Sequence, residues 1–143
     1  MQYNLGVLQV ETTANAVFQT AYHVVWIPKY RRRVLTGIVA TRLREILRNI
    51  ADQHRWRVLA VEIQPDHLHL FLSVPPTIAV AEAVRRLKGA SARHLRARCP
   101  HLQRVCPRGH LWAPSYYGGS AGNVSAQTVR RYIERAAHVS SRR

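Results

Sequence analysis

The chain has 143 residues, 47% of them hydrophobic, which is enough for one cored domain and too little for two independent ones. Lysine and arginine number 22 against 7 acidic residues, a formal net charge of +15, and twenty of the 22 are arginines, whose planar fork grips phosphate in a way lysine cannot. That balance excludes chemistry built on many carboxylates and points to a polyanionic partner held in a strongly salt-dependent way, while the lack of any apolar run of about eighteen residues excludes a membrane-spanning helix.

Residues 1–17 show no clear periodicity and read as an N-terminal arm on a single domain spanning 1–143. They lack the basic start and apolar stretch of a secretory signal, so the cytoplasm is the expected location, with Cys99 and Cys106 reduced. Gln19 to Ile27 is a β-branched and aromatic strand ended by Pro28, and the basic run Lys29-Tyr30-Arg31-Arg32-Arg33 follows. After Gly37, Val39, Leu43, Ile46, Leu47 and Ile50 recur at helical spacing, predicting a helix to about Arg55. Trp56 to Gln64 and His67 to Val74 read as a hairpin about the Pro65-Asp66 turn. Over residues 78–98, Val80, Val84, Leu87, Ser91 and Leu95 form one stripe, with Arg85, Arg86, Lys88, Arg93, Arg96 and Arg98 largely around it, which predicts a basic amphipathic helix. Gly89 in its middle costs about 1 kcal/mol relative to alanine and is expected to mark a bend or a close backbone approach.

Cys99, His101, Cys106 and His110 are zinc-ligand types, but their spacing lacks the short knuckle between paired ligands, so the segment reads as a Pro-interrupted loop. Leu111 to Gly119, broken by Pro114, is an edge or irregular strand. Ser125 can cap a helix through about Val139, with Val129, Tyr132, Ile133, Ala136 and Ala137 along one broad face. This order predicts a ferredoxin-like α+β fold: an antiparallel sheet with helices on one face, plus a C-terminal helix carrying Tyr132.

Along His67 to Val74, side chains alternate, so His67, His69, Phe71 and Ser73 share one face and Leu68, Leu70, Leu72 and Val74 the other. Two imidazoles side by side can bind one divalent cation, although such a pair also reads as ordinary surface or core histidines. Two-metal hydrolysis needs several carboxylates, and only Glu62 and Asp66 lie near the histidines in sequence. With no Ser-His-Asp ordering, the nucleophile candidates are water, a serine or one of six tyrosines. Tyr132, beside Arg130, Arg131 and Arg135, suits that role, and equally reads as an anchor of its helix on the core. The candidate DNA contacts are Lys29, Arg31 and Arg32, then Arg85, Arg86, Lys88 and Arg93, then Arg130 and Arg131.

The blocks Tyr22-His23-Val24-Val25-Trp26, Lys29-Tyr30-Arg31, Pro65-Asp66-His67-Leu68-His69, Leu87-Lys88-Gly89-Ala90-Ser91, Trp112-Ala113-Pro114-Ser115-Tyr116 and Tyr132-Ile133 occur in an order that resembles the IS200/IS605-family transposases. These are small single-tyrosine enzymes of the HUH class (His, hydrophobic residue, His), and the similarity runs from about residue 20 to 135. The resemblance implies a ferredoxin-like sheet, a homodimer, and a Mg²⁺ or Mn²⁺ ion on His67 and His69 that polarises the scissile phosphate. It implies that Tyr132 attacks single-stranded DNA to give a 5′-phosphotyrosine and a free 3′-OH, with rejoining to another end moving the insertion sequence. It further implies a basic surface holding a hairpin at the element end, and allows an active site composed in trans, the tyrosine helix of one protomer serving the histidines of the other. One position departs from the pattern. Relatives carry a glutamine four residues after the tyrosine as a third metal ligand, and here Ala136 stands there. Glu134 and His138 lie about 160° and about 120° away around the helix, so the third ligand is unassigned. Ala136 favours a second reading, a non-catalytic or domesticated relative that only binds single strands. A third reading is a ribosome-associated binder, which would prefer RNA over a DNA hairpin.

Overall fold

The computed structural model describes residues 11–12, 17–18, 21–106, 110–120 and 131–136. Within the stretch expected to be a featureless arm, the backbone forms a two-stranded antiparallel pair, β1 (Glu11–Thr12) with β2 (Val17–Phe18). The main sheet has four antiparallel strands in the order β4-β5-β3-β6, from β3 (Tyr22–Trp26), β4 (Arg57–Gln64), β5 (His67–Ser73) and β6 (Tyr117–Ser120). Helices α1 (Gly37–Gln53) and α2 (Val80–Arg98) follow β3 and β5, the short α3 (His101–Val105) follows α2, and residues 131–136 form the helical segment α4. The mixed α+β architecture built on an antiparallel main sheet is the one expected.

Periodicity explains why each element forms where it does. All five apolar positions read for the first helix are buried on α1, and Val84, Leu87, Ser91 and Leu95 are buried on α2. These stripes cover the sheet face made by Val24 and Trp26 of β3 and Leu68, Leu70 and Leu72 of β5, forming the main core with Val74, Leu102, Leu111 and Trp112. The Pro65-Asp66 turn sets the hairpin register, so that Gln64 faces His67 and Glu62 faces His69, with one irregularity between Val58 and Ala60.

Three local expectations are corrected. The segment after Cys99 is not a plain loop: α3 seats Leu102 in the core, and Cys99 and Cys106 are buried there too, while His101 and His110 are exposed. A zinc cluster has no basis among the described residues, because hydrophobic packing separates thiols from imidazoles. Gly89 marks neither a bend nor a close approach, since α2 runs through it and an added Cβ would meet nothing within 4 Å. The last strand is shorter than expected. Only Tyr117–Ser120 pair with β3, and before Pro114 the chain touches the sheet through a single Pro28–Trp112 bridge, because Pro114 has no backbone N–H for a ladder.

Candidate functional site on the histidine face

The second sheet face carries a smaller core of Val25, Ile27, Ala113, Ile133 and Ala136, with Tyr117 and Tyr132 packed against it. Strand alternation puts His67, His69 and Phe71 of β5 on this side, and the β3 register adds His23 opposite Phe71 and Val25 opposite His69. In this chain α4 therefore packs on its own sheet, on the side of the histidines and opposite α1 and α2.

His67 and His69 present their rings with centroids 5.1 Å apart at 73°. Each has its Nδ1 engaged. His67 Nδ1 lies 2.8 Å from Asp66 Oδ1, and Asp66 Oδ2 accepts from Arg31 Nε at 2.7 Å. Burial would push the Asp66 carboxyl up, but the hydrogen bonds to His67 and Arg31 outweigh it and hold the group below its ordinary range. An ionised carboxylate can only accept, so His67 Nδ1 donates to it and Nε2 is the ring nitrogen left to meet a cation. His69 Nδ1 lies 2.8 Å from Nε2 of the buried His23, whose ring is stacked on Phe71 at 4.4 Å. Burial lowers His23 to about 4, and burial with the neighbouring His23 and His67 lowers His69 to about 3, so both rings are neutral at pH 7. Neutral rings with oriented Nδ1 atoms are what a divalent cation requires of a histidine pair. Among the described residues, no group of three or more His, Cys, Asp or Glu converges to complete a shell. Glu62 and Gln64, directly opposite His69 and His67, are oxygen-bearing neighbours on the same face, with Gln64 Nε2 donating to Glu62 Oε1 at 3.0 Å.

Arg31 reaches Asp66 from an unusual backbone. Tyr30 and Arg31 have φ of 62° and 53°, conformations that cost non-glycine residues on the order of 1 kcal/mol or more each. The turn is held by Arg31 N donating to the Pro28 carbonyl at 2.8 Å and Lys29 N donating to the Leu111 carbonyl at 2.8 Å.

Tyr132 is half-buried, and its hydroxyl lies 3.3 Å from Ser115 Oγ. Burial pushes its phenol up to about 12, against the lowering effect of the Ser115 hydrogen bond. Its ring is 6.3 Å from Tyr117, which meets His23 edge-on at 6.1 Å, so aromatic contacts link the tyrosine to the histidines. Ala136 is buried beside Val25, the residue opposite His69, and the third-ligand position of the family pattern is thus filled by apolar packing.

The candidate DNA contacts separate spatially. Lys29 and Arg32 flank the exposed Tyr30 ring, at 5.4 and 5.2 Å from its centroid, on the turn that delivers Arg31 to Asp66. Arg85, Arg86 and Arg93 are exposed on α2, across the sheet from the histidines, and Arg85 and Arg86 both pair with Glu82. Arg131 is exposed on α4, and Arg130 lies outside the described residues. Lys88 is set apart: its ammonium donates to the backbone carbonyls of Ala113 at 2.6 Å and Ser115 at 3.1 Å. The sequence reading passed over His23, Ser115 and Tyr117. The parity of His23 with Val25 and Ile27 was a usable signal, but which strand lies beside it is a tertiary fact.

A strand bearing His67 and His69 thus lies beneath the helix that bears Tyr132, on one face of an antiparallel sheet. The chain belongs to the IS200-like transposases, whose family model (Transposase IS200 like) matches residues 16–136. It is similar to the ISDra2 transposase TnpA of Deinococcus radiodurans, with 40% identity over 134 residues covering 94% of this chain and 96% of that protein. The transposase of insertion sequence element IS200 from Salmonella typhimurium is 29% identical over 124 residues, covering 87% and 81%. A crystal structure of a transposase-type protein from Deinococcus radiodurans R1 superposes with a TM-score of 0.78 at 38% identity, over 88% of this chain and 97% of that one. A REP-associated tyrosine transposase bound to a REP hairpin shares the fold, with a TM-score of 0.52 at 14% identity over 80% of this chain and 62% of that one. No helix among the described residues is long and apolar enough to cross a membrane.

Proposed function

We propose that this transposase cleaves and rejoins single-stranded DNA at the ends of an insertion sequence, with Tyr132 as nucleophile and a divalent ion held by His67 and His69. The observation that carries this reading is the shared face: β5 presents two histidines, each fixed through Nδ1, and α4 lays Tyr132 on the same side of the sheet. Bound Mg²⁺ or Mn²⁺ would polarise the scissile phosphate. The tyrosine oxygen, giving up its proton, forms a bond to phosphorus as the bond to the 3′ oxygen breaks, and the released 3′ oxygen takes up a proton, leaving a 5′-phosphotyrosine and a 3′-OH. Attack by a 3′-OH from another end reverses the step without a nucleotide cofactor, because one phosphodiester-type bond replaces another. Substrate ends folded as hairpins suit the basic surface, and a hairpin is what the REP-associated fold neighbour was solved with.

Incubation with Mn²⁺ and a hairpin-bearing single strand is expected to give a covalent adduct on a denaturing gel, absent in Tyr132→Phe. Unchanged adduct in that variant would remove Tyr132 from the role. His67→Ala is expected to abolish metal-dependent cleavage and keep binding, since phosphate contacts by arginine supply most of the affinity. The implied homodimer is tested by mixing Tyr132→Phe with His67→Ala protein: activity recovered on mixing requires an active site composed in trans. Ala136 supports the second reading, a binding-only relative, which predicts tight hairpin binding with no adduct under any divalent ion.

A further inference from the structure

Lys88 projects from α2, the helix that covers the face opposite the histidines, yet its ammonium ends on the loop that precedes β6 and touches Tyr132 through Ser115. That loop passes round the sheet edge. Trp112 belongs to the main core and Ala113 to the smaller one, so the crossing falls between adjacent residues. The crossing is pinned from both sides. Ala113 N donates to the Ile27 carbonyl at 2.9 Å, and Trp112 Nε1 donates to the Lys88 carbonyl and to Ser91 Oγ, each at 3.1 Å. Beyond the pin, Ser115 Oγ meets the Tyr132 hydroxyl at 3.3 Å.

A lysine serving DNA would keep its ammonium at the surface, and an apolar side chain would anchor a loop without desolvating a charge. Lys88 does neither: burial lowers it to about 8, and it remains mostly protonated at pH 7, where an ammonium can satisfy two carbonyls at once. We propose that Lys88 is a positioning residue, which holds the Ala113 and Ser115 carbonyls so that Ser115 fixes the hydroxyl of Tyr132 for attack on the phosphodiester. The inference rests on the reading of Tyr132 as nucleophile. It moves Lys88 from the DNA surface to the support of the tyrosine, and gives the Leu87-Lys88-Gly89-Ala90-Ser91 and Trp112-Ala113-Pro114-Ser115 blocks one shared purpose.

The test compares Lys88→Met, Ser115→Ala and the double variant in the full chain with Mn²⁺ and a hairpin-bearing strand. Lys88→Met is expected to keep hairpin affinity, because an ammonium committed to two backbone carbonyls neutralises no phosphate. Its single-turnover rate of adduct formation is expected to fall by about 100-fold, the scale on which misaligned reacting groups lose rate. Ser115→Ala, at an exposed position that leaves folding intact, is expected to lose rate in the same direction, and the double variant to be no slower than the slower single. An unchanged rate in Ser115→Ala, binding lost in step with rate in Lys88→Met, or additive losses would each overturn the proposal. A DNA-free readout separates this from failure of the nucleophile reading. With 3-fluorotyrosine incorporated and the Tyr132 signal assigned by its loss in Tyr132→Phe, that ¹⁹F resonance is expected to move in both single variants. If Tyr132→Phe still forms adduct, the nucleophile reading falls, and an unmoved resonance in Lys88→Met would then also overturn the positioning role.

Discussion

His23 and His69 form a neutral buried pair, and the same burial that readies His69 for a cation makes the metal-free protein sensitive to acid. Both have folded values well below the ordinary 6.5, at about 4 and about 3. As pH falls through 6.5 the unfolded chain takes up protons that the native pair refuses, so stability present above 6.5 is lost toward 4. A histidine that stays neutral down to pH 5 contributes roughly 2 kcal/mol to that loss. The melting temperature of metal-free protein is therefore expected to drop by several degrees between pH 7 and pH 5, and a flat profile would contradict the buried neutral pair. Asp66 acts at the same scale. Asp66→Asn replaces an acceptor-only group by an amide that can donate to His67 Nδ1 and so permit the other tautomer. It is expected to weaken Mn²⁺ binding by about tenfold in calorimetry, the lower end of what loss of such an orienting partner costs.

At the scale of elements, the helices were the most legible parts, because 3.6-residue periodicity over seventeen or nineteen positions leaves few alternatives. The hairpin carrying His67 and His69 was equally plain from alternation and its Pro-Asp turn. Short elements were not. α3 spans five residues, too few for a period to show, and β6 is a four-residue strand whose pairing depends on β3 lying beside it. Gly89 illustrates the limit of local reasoning. Glycine in a helix suggests a bend, but here the helix is regular and the space around the position is open. Gly89→Ala is accordingly expected to stabilise the fold by about 1 kcal/mol, measured by denaturant unfolding. A destabilised variant would show that the glycine backbone is needed where it stands.

For the whole molecule, the net charge is +15, and among the described residues exposed basic side chains lie on both sides of the sheet, with arginines on α2 across from the histidine face and Arg131 on α4 beside it. A strand lying over the histidines cannot also lie along the outer face of α2. Replacing Arg85 and Arg86 together by alanine is expected to weaken hairpin binding, lowering the slope of log affinity against log salt by about 1.5. At saturating DNA it is expected to leave the rate of adduct formation unchanged, and a slowed chemical step would place α2 at the reacting phosphate instead. Sequence alone determined the two long helices, the hairpin and the shared face of His67 and His69, and pointed to a polyanionic partner, because alternation, helical period and charge are properties of near neighbours or of composition. Only the tertiary structure decided that His23 backs His69, that Arg31 holds Asp66, that Ala136 is packed with Val25, and that Lys88 crosses the sheet edge to the loop beside Tyr132. Each of these joins residues distant in the chain, and strand order and helix placement set their meeting, with no trace in local spacing.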